Sequence, residues 1–364
     1  TLEQTRANLE RYALAVKRRV SPDGAMGVGL WLSASAARRL AQDASLLGEE
    51  AAWWAGHGLV PYTINGFPYG DFHREIVKHQ VYRPTWAEPA RAEYTRHLVA
   101  ILDRLLPHGQ PATISTLPVC WGTEPDRDAQ LRAAAARLRQ AARELREFED
   151  RTGRHVRLCL EPEPGCALQR AGDVVRFFEE HLLPGSDEAA VRRHLGVCHD
   201  VCHSAVMFEP QAEALGAYRR AGVAVGKVQV SAAVRMADPT PEARAQLAAF
   251  DEPRYLHQTC VRTSPGGEPR FYEDLGDALR SAGGGEWRVH FHVPVYLDRF
   301  GHLETTQGEI RECLRALGPE PGVHFEVETY AWGVLPEGLR VPELADGIAR
   351  ELEWFRAERA AAGC

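Results

Sequence analysis

Five short segments carry the residues from which chemistry could be built. LGVCHDVCHSAV (195–206) ends an apolar run in His199 and Asp200, with His203 three residues beyond the aspartate. LEPEPG supplies Glu161 and Glu163, KVQVS supplies Lys227 and Gln229, RVHFHV supplies His290 and His292, and FEVET supplies Glu326 and Glu328. Residues two apart in a strand share a face, so each of these pairs can send both side chains to one side. Burying so many carboxylates without a cation would cost several kcal/mol each or force their protonation. A divalent metal removes that difficulty. The set Glu161, Asp200, the Gln229 amide oxygen and Glu328 is oxygen-rich, which suits Mg²⁺ or Mn²⁺ better than Zn²⁺, the alternative. Two positioned carboxyl groups, Glu161 and Glu328, could also take a proton from one face of a carbon and return it to the other. The plainer reading of Asp200 is an N-cap for the helix that follows it.

These residues need a scaffold that gathers strand ends. Apolar runs at 25–32, 58–65, 111–118, 155–165, 195–200, 226–234, 287–295 and 323–332 read as strands, and helical spacing fills most intervals between them. Eight alternating units predict a (β/α)8 TIM barrel, with the polar residues at the C-terminal rim where barrel chemistry sits. An open doubly wound sheet is the runner-up, but no GxGxxG follows the first run. No linker or low-complexity segment divides the chain, so residues 1–364 read as one domain. Two stretches are too long for simple connections: an aromatic loop at 66–86 and an insertion at about 236–270. His73, Tyr69, Phe72 and Trp86 on the first, and Tyr255 and His257 on the second, suggest a lid over the rim.

Composition narrows the partners. A net charge of −7 with a sequence pI near 6.1 gives no electrostatic footprint for nucleic acid or an anionic membrane. No run approaches ~20 apolar residues, so no membrane span is expected. The charged first twenty residues are unlike a secretory signal, and the eight cysteines show no CxxC spacing. Together these predict a reduced, cytoplasmic protein.

Taken in order, the motifs resemble the xylose-isomerase-like TIM-barrel superfamily of sugar isomerases and epimerases. Glu161 in LEPEPG, Asp200 and His203 in HDVCH, Gln229 with Arg235 in QVSAAVR, and Glu328 in ETY match its site pattern over roughly 155–330. Gln at the sixth strand is similar to the hydroxypyruvate-isomerase-like branch. The NGFPYGDFHREIVKHQVYRP loop and the YLHQT insertion resemble the E component of the Ebo operons, a metabolite-traffic family.

The resemblance implies metal ligation by Glu161, Asp200, Gln229 and Glu328, and acid–base roles for Glu161 and Glu328. Glu163 and Glu326 could replace them if the strands are mis-phased. It implies substrate contacts from His203 and Arg235, to which Lys227, His257 and His292 are added as candidates. The expected activity is isomerisation or epimerisation of a polyhydroxylated keto-sugar or cyclitol by proton transfer through an ene-diolate. Two other readings stay open: a catalytically silent barrel that binds or hands on a hydrophobic-tailed metabolite, and a metal-dependent phosphodiesterase with a His-richer ligand set.

Overall fold

A computed structural model of the protein describes residues 1–71 and 74–363. Phe72 and His73, expected on the lid, lie outside the described residues. The strands in chain order are β1 (Met26–Leu30), β2 (Leu59–Asn65), β3 (Ala112–Thr116), β4 (Val156–Leu160), β5 (Leu195–Asp200) and β6 (Val225–Val230). They continue with β7 (Val234–Met236), β8 (Thr259–Arg262), β9 (Arg270–Tyr272), β10 (Glu286–Val289), β11 (Arg299–Phe300), β12 (Leu303–Thr305) and β13 (His324–Val327).

Strands β1 to β6 and β13 form a seven-stranded parallel sheet in the order β1-β2-β3-β4-β5-β6-β13, nearly closed into a barrel with helices around it. One face of the sheet is apolar, with Ile64, Ile114, Leu158, Val197 and Val228 all buried, as packing against helices requires, while the other face carries Thr63, Thr113, Lys227, Gln229 and Glu326. Between β1 and β2 the register shifts, so that Pro61 and Tyr62 together face Val28. Proline cannot donate to the ladder, and a bulge is one of the few strand positions that tolerates it. The re-aimed Tyr62 hydroxyl donates to the Phe325 carbonyl of β13, bridging the two ends of the sheet.

The eighth barrel strand expected at 287–295 is not there, and this corrects the eight-strand reading. β6 pairs directly with β13, Gln229 standing opposite Glu326. The first half of that run is β10, which joins a six-stranded antiparallel sheet ordered β11-β12-β7-β10-β8-β9. The reason lies in its pattern: Trp287 and Val289 are buried while Arg288 between them is half-buried, the alternation of a sheet with one wetter face. Residues 290–295 leave the sheet and run along the rim, where the His290 amide donates to Gln258 O (2.8 Å) and the Val293 amide to Ala232 O (3.1 Å). The insertion is accordingly larger than expected. It extends to β12, and the 307–317 helix returns the chain to β13.

Candidate active site at the barrel rim

The site starts from residues that end strands. Glu161 follows β4, its amide donating to Thr116 O (3.0 Å), and Glu328 follows β13, its amide reaching Val230 O (3.3 Å). Asp200 closes β5 and does cap the next helix: its Oδ1 accepts from the His203 amide (3.0 Å) and from Ser231 Oγ (2.7 Å). Its Oδ2, also buried, has no hydrogen-bond donor among the described residues. Gln229, directly across the β5–β6 ladder from Asp200, donates through Nε2 to Asn65 Oδ1 (3.0 Å) and Glu328 Oε1 (3.4 Å). Gln229 Oε1 is likewise buried without a donor. Two adjacent buried acceptors lacking any N–H or O–H are what a bound cation would satisfy.

Above them stand the imidazoles. His203 Nδ1 lies 2.8 Å from the Pro162 carbonyl, which can only accept, so that nitrogen carries the hydrogen. Gln258 spends its Nε2 on Glu163 Oε1 (2.8 Å) and the Tyr82 hydroxyl (2.9 Å), leaving its Oε1 to accept from His290 Nδ1 (2.7 Å). The two remaining nitrogens, His203 Nε2 and His290 Nε2, face each other at 3.2 Å. Neutral rings would oppose two lone pairs there, so the gap takes a shared proton or a metal ion. Without metal the proton belongs to His203. Burial opposes its charge, but Asp200 and Glu163 raise its pKa, while burial and His203 push that of His290 well down.

The carboxyl groups divide the same way. Burial, and then Glu328, push Glu161 up to about 8, so it is protonated at neutral pH. Asp200 is held below its usual value: burial works against this, and His203 and His292 overcome it. His292 lies 3.1 Å from Glu328 Oε2 and is raised to about 9, Glu328 outweighing burial. Groups whose ligand atoms lie within 4.8 Å of one another are Glu163–His203–His290, Asp200–His203–His292 and Cys202–His290–His292. Glu161, Asp200 and Glu328 do not by themselves make so tight a group, so the most compact donor sets are richer in histidine than expected. Nitrogen and carboxylate together fit zinc and manganese. Cys202 belongs to a small apolar cluster with Val206, Met207 and Cys260, and burial raises its thiol.

Other expected residues go elsewhere. Lys227 is fully buried, bonded to Asn65 Oδ1 and Glu326 Oε2 at 2.5 Å each, and holds the floor of the site without lining the cavity. Asn65 Nδ2 donates to Glu326 Oε1 (3.0 Å), which keeps Glu326 on the lysine and leaves Glu328 to the rim. His257 stacks on Phe291 and bridges the His290 carbonyl (3.1 Å) to Glu252 (3.0 Å), so it supports the backbone under His290. Arg235 lies on β7, bound to Glu286 (2.9 Å) and Glu304 (2.6 Å), and does not line the cavity. The chain enters the antiparallel sheet at that point and carries Arg235 off the rim. Asn65, Tyr82 and Gln258 are the site residues that sequence reasoning missed. Asn65 ends β2, as the other candidates end their strands; Tyr82 closes a short 3-10 turn in the first long loop and Gln258 precedes β8, neither within a periodic apolar run.

A cavity of about 1250 Å³ opens over this cluster. Glu161, Glu163, His203, His290, His292 and Glu328 line its floor, and Tyr69, Tyr82 and Tyr255 from the two long loops line its sides.

No protein-family model matches the chain, and no curated protein matches it in sequence. Solved structures do. A xylose isomerase-like TIM barrel protein from Mycobacterium smegmatis in complex with magnesium aligns over 96% of this chain and 88% of its own, at 13% identity and a TM-score of 0.52. The fold is that of the xylose isomerase-like TIM barrels. The 3-keto-D-glucoside 4-epimerase of E. coli covers 90% of this chain and 98% of its own, with 17% identity and a TM-score of 0.41. The IOLI protein with a bound zinc atom covers 98% and 92%, with 12% identity and a TM-score of 0.45. No described helix is long and apolar enough to cross a membrane.

Proposed function

We propose that this xylose isomerase-like barrel is a divalent-metal-dependent isomerase or epimerase of a polyhydroxylated small molecule. One observation carries the reading: Glu161 and Glu328 line one cavity at the rim, beside Asp200 Oδ2 and Gln229 Oε1, two buried acceptors with no donor among the described residues. Two carboxyl groups on either side of one carbon can divide the acid and base roles between them. Asp200 Oδ2, Gln229 Oε1, Glu161 and Glu328 would hold the ion, with His203, His290 and His292 beside it. When bound, the metal polarises a substrate carbonyl and steadies negative charge on its oxygens.

The chain's own residues then move protons. Glu328 takes the proton from the carbon next to the carbonyl, and the C–H electron pair passes into the ene-diolate. Protonated Glu161 delivers its hydrogen to the opposite face, forming the new C–H bond, and the two groups exchange protons with solvent before the next cycle. His292 orients Glu328 through their 3.1 Å contact, and His203 offers a hydrogen to a substrate hydroxyl. The test is a panel of keto-sugars and cyclitols incubated with the protein and Mn²⁺, Mg²⁺ or Zn²⁺ in D₂O. Loss of one C–H signal that requires both protein and metal supports the reading. Binding of a panel member with no exchange under any metal would favour the silent carrier, the role that fits the Ebo-like loops.

The His203–His290 pair favours a second reading, a metal-dependent phosphodiesterase. Hydrolysis of bis-p-nitrophenyl phosphate with Zn²⁺, without C–H exchange on any polyol, would select it.

A further inference from the structure

The cavity does not end at the rim. It runs sideways between β1 and β13, which no backbone ladder joins among the described residues, and continues beneath the first and last helices. Leu9, Tyr12 and Val16 line it from one side, and Ile348, Leu352 and Phe355 from the other. Its volume of about 1250 Å³ is more than a monosaccharide needs, and above the ~300–1,000 Å³ of typical small-ligand pockets.

Three features shape this arm. First, β1 carries glycine at both positions whose Cβ would enter the barrel wall. A Cβ on Gly29 would fall 1.6 Å from Glu326 Oε1, and one on Gly27 would fall 2.7 Å from the Tyr62 ring. Second, the first helix loosens into a π turn at Leu9–Ala13, and Leu9, Tyr12 and Ala13 all face the arm. Such turns recur at functional sites. Third, beyond Glu326 the strand and helix residues that line the arm include no charged side chain. Tyr12, Val28, Phe325, Ile348 and Leu352 there stay only half-buried.

We propose that this arm seats the apolar chain of an amphiphilic substrate whose polyhydroxylated head rests between Glu161 and Glu328. The head placement rests on the reading above; the seat of the chain is argued from the arm itself. Each methylene that leaves water for the apolar lining of the arm contributes about three- to fourfold in affinity. The probes are glucose and its hexyl, heptyl and octyl β-glucosides, titrated calorimetrically below their micelle concentrations into the Mn²⁺-loaded protein. Affinity should climb about threefold or more per carbon.

Ala13→Trp should block the arm and Ile348→Asn should wet it. Either should flatten the series while leaving the binding of glucose itself unchanged, with circular dichroism confirming the fold of each. Equal affinity across the series in the wild type overturns the arm, and so does a gain that survives both variants. 1-Octanol separates the two ideas. If it binds as tightly as octyl glucoside and Glu328→Gln changes neither, the arm stands and the polyol head fails.

Discussion

Lys227 and Glu326 form a buried ion pair at the barrel's centre, tied together by Asn65. Burial works against the lysine's charge, yet Glu326 raises its pKa. Removing one partner strands the other, so Lys227→Met should cost about 3–5 kcal/mol in urea unfolding. Replacing both, with Lys227→Met and Glu326→Leu, should recover most of that loss. Gln258 fixes the ring of His290, and Gln258→Leu should weaken Zn²⁺ or Co²⁺ affinity by about 10–100-fold in a chelator competition. Glu161, Asp200 and Glu328 were legible because a polar residue ending an apolar run is a local signal. Tyr82 and Gln258 were not, because only the folding of two distant loops brings the phenol and the amide onto Glu163.

The elements show where local pattern stops deciding position. Six of the eight apolar runs form β1 to β6 in order, and the last adds the seventh strand beside β6. The run at 287–295 failed because its alternation suits an antiparallel strand, and nothing local says which sheet receives it. Arg235 was carried along by the same error. Its guanidinium, charge-paired to Glu286 and Glu304, holds β7 to its neighbours. Arg235→Ala should therefore leave C–H exchange within about twofold of wild type and cost about 1 kcal/mol or less in unfolding, as partly exposed pairs do. A hundredfold loss of exchange would return Arg235 to the site.

At the scale of the molecule, the last helix locks the open side of the barrel to the rim. Glu351 on that helix accepts from the Val295 amide (3.1 Å) and from Trp332 Nε1 (2.8 Å), and burial lifts it to about 7 from 4.5. The folded state holds this proton after the unfolded chain has lost it. Its contribution is therefore full below about pH 4.5 and fades as pH rises to about 7, by about 3 kcal/mol at most. Glu351→Gln should flatten that part of the stability profile, read from urea midpoints across this range.

The central claim is that Glu328 and Glu161 serve opposite faces of one carbon, and their amide variants test it most directly. With a substrate found by exchange, ¹H NMR in D₂O follows both loss of the C–H signal and appearance of the epimer. Glu328→Gln should slow both by about 10²–10⁴-fold, because the base is gone. Glu161→Gln should stop the epimer yet still allow exchange with retention, because Glu328 can return deuterium to the face it came from. Equal loss of both signals in the two variants, or undiminished epimerisation in either, would contradict the two-carboxyl account.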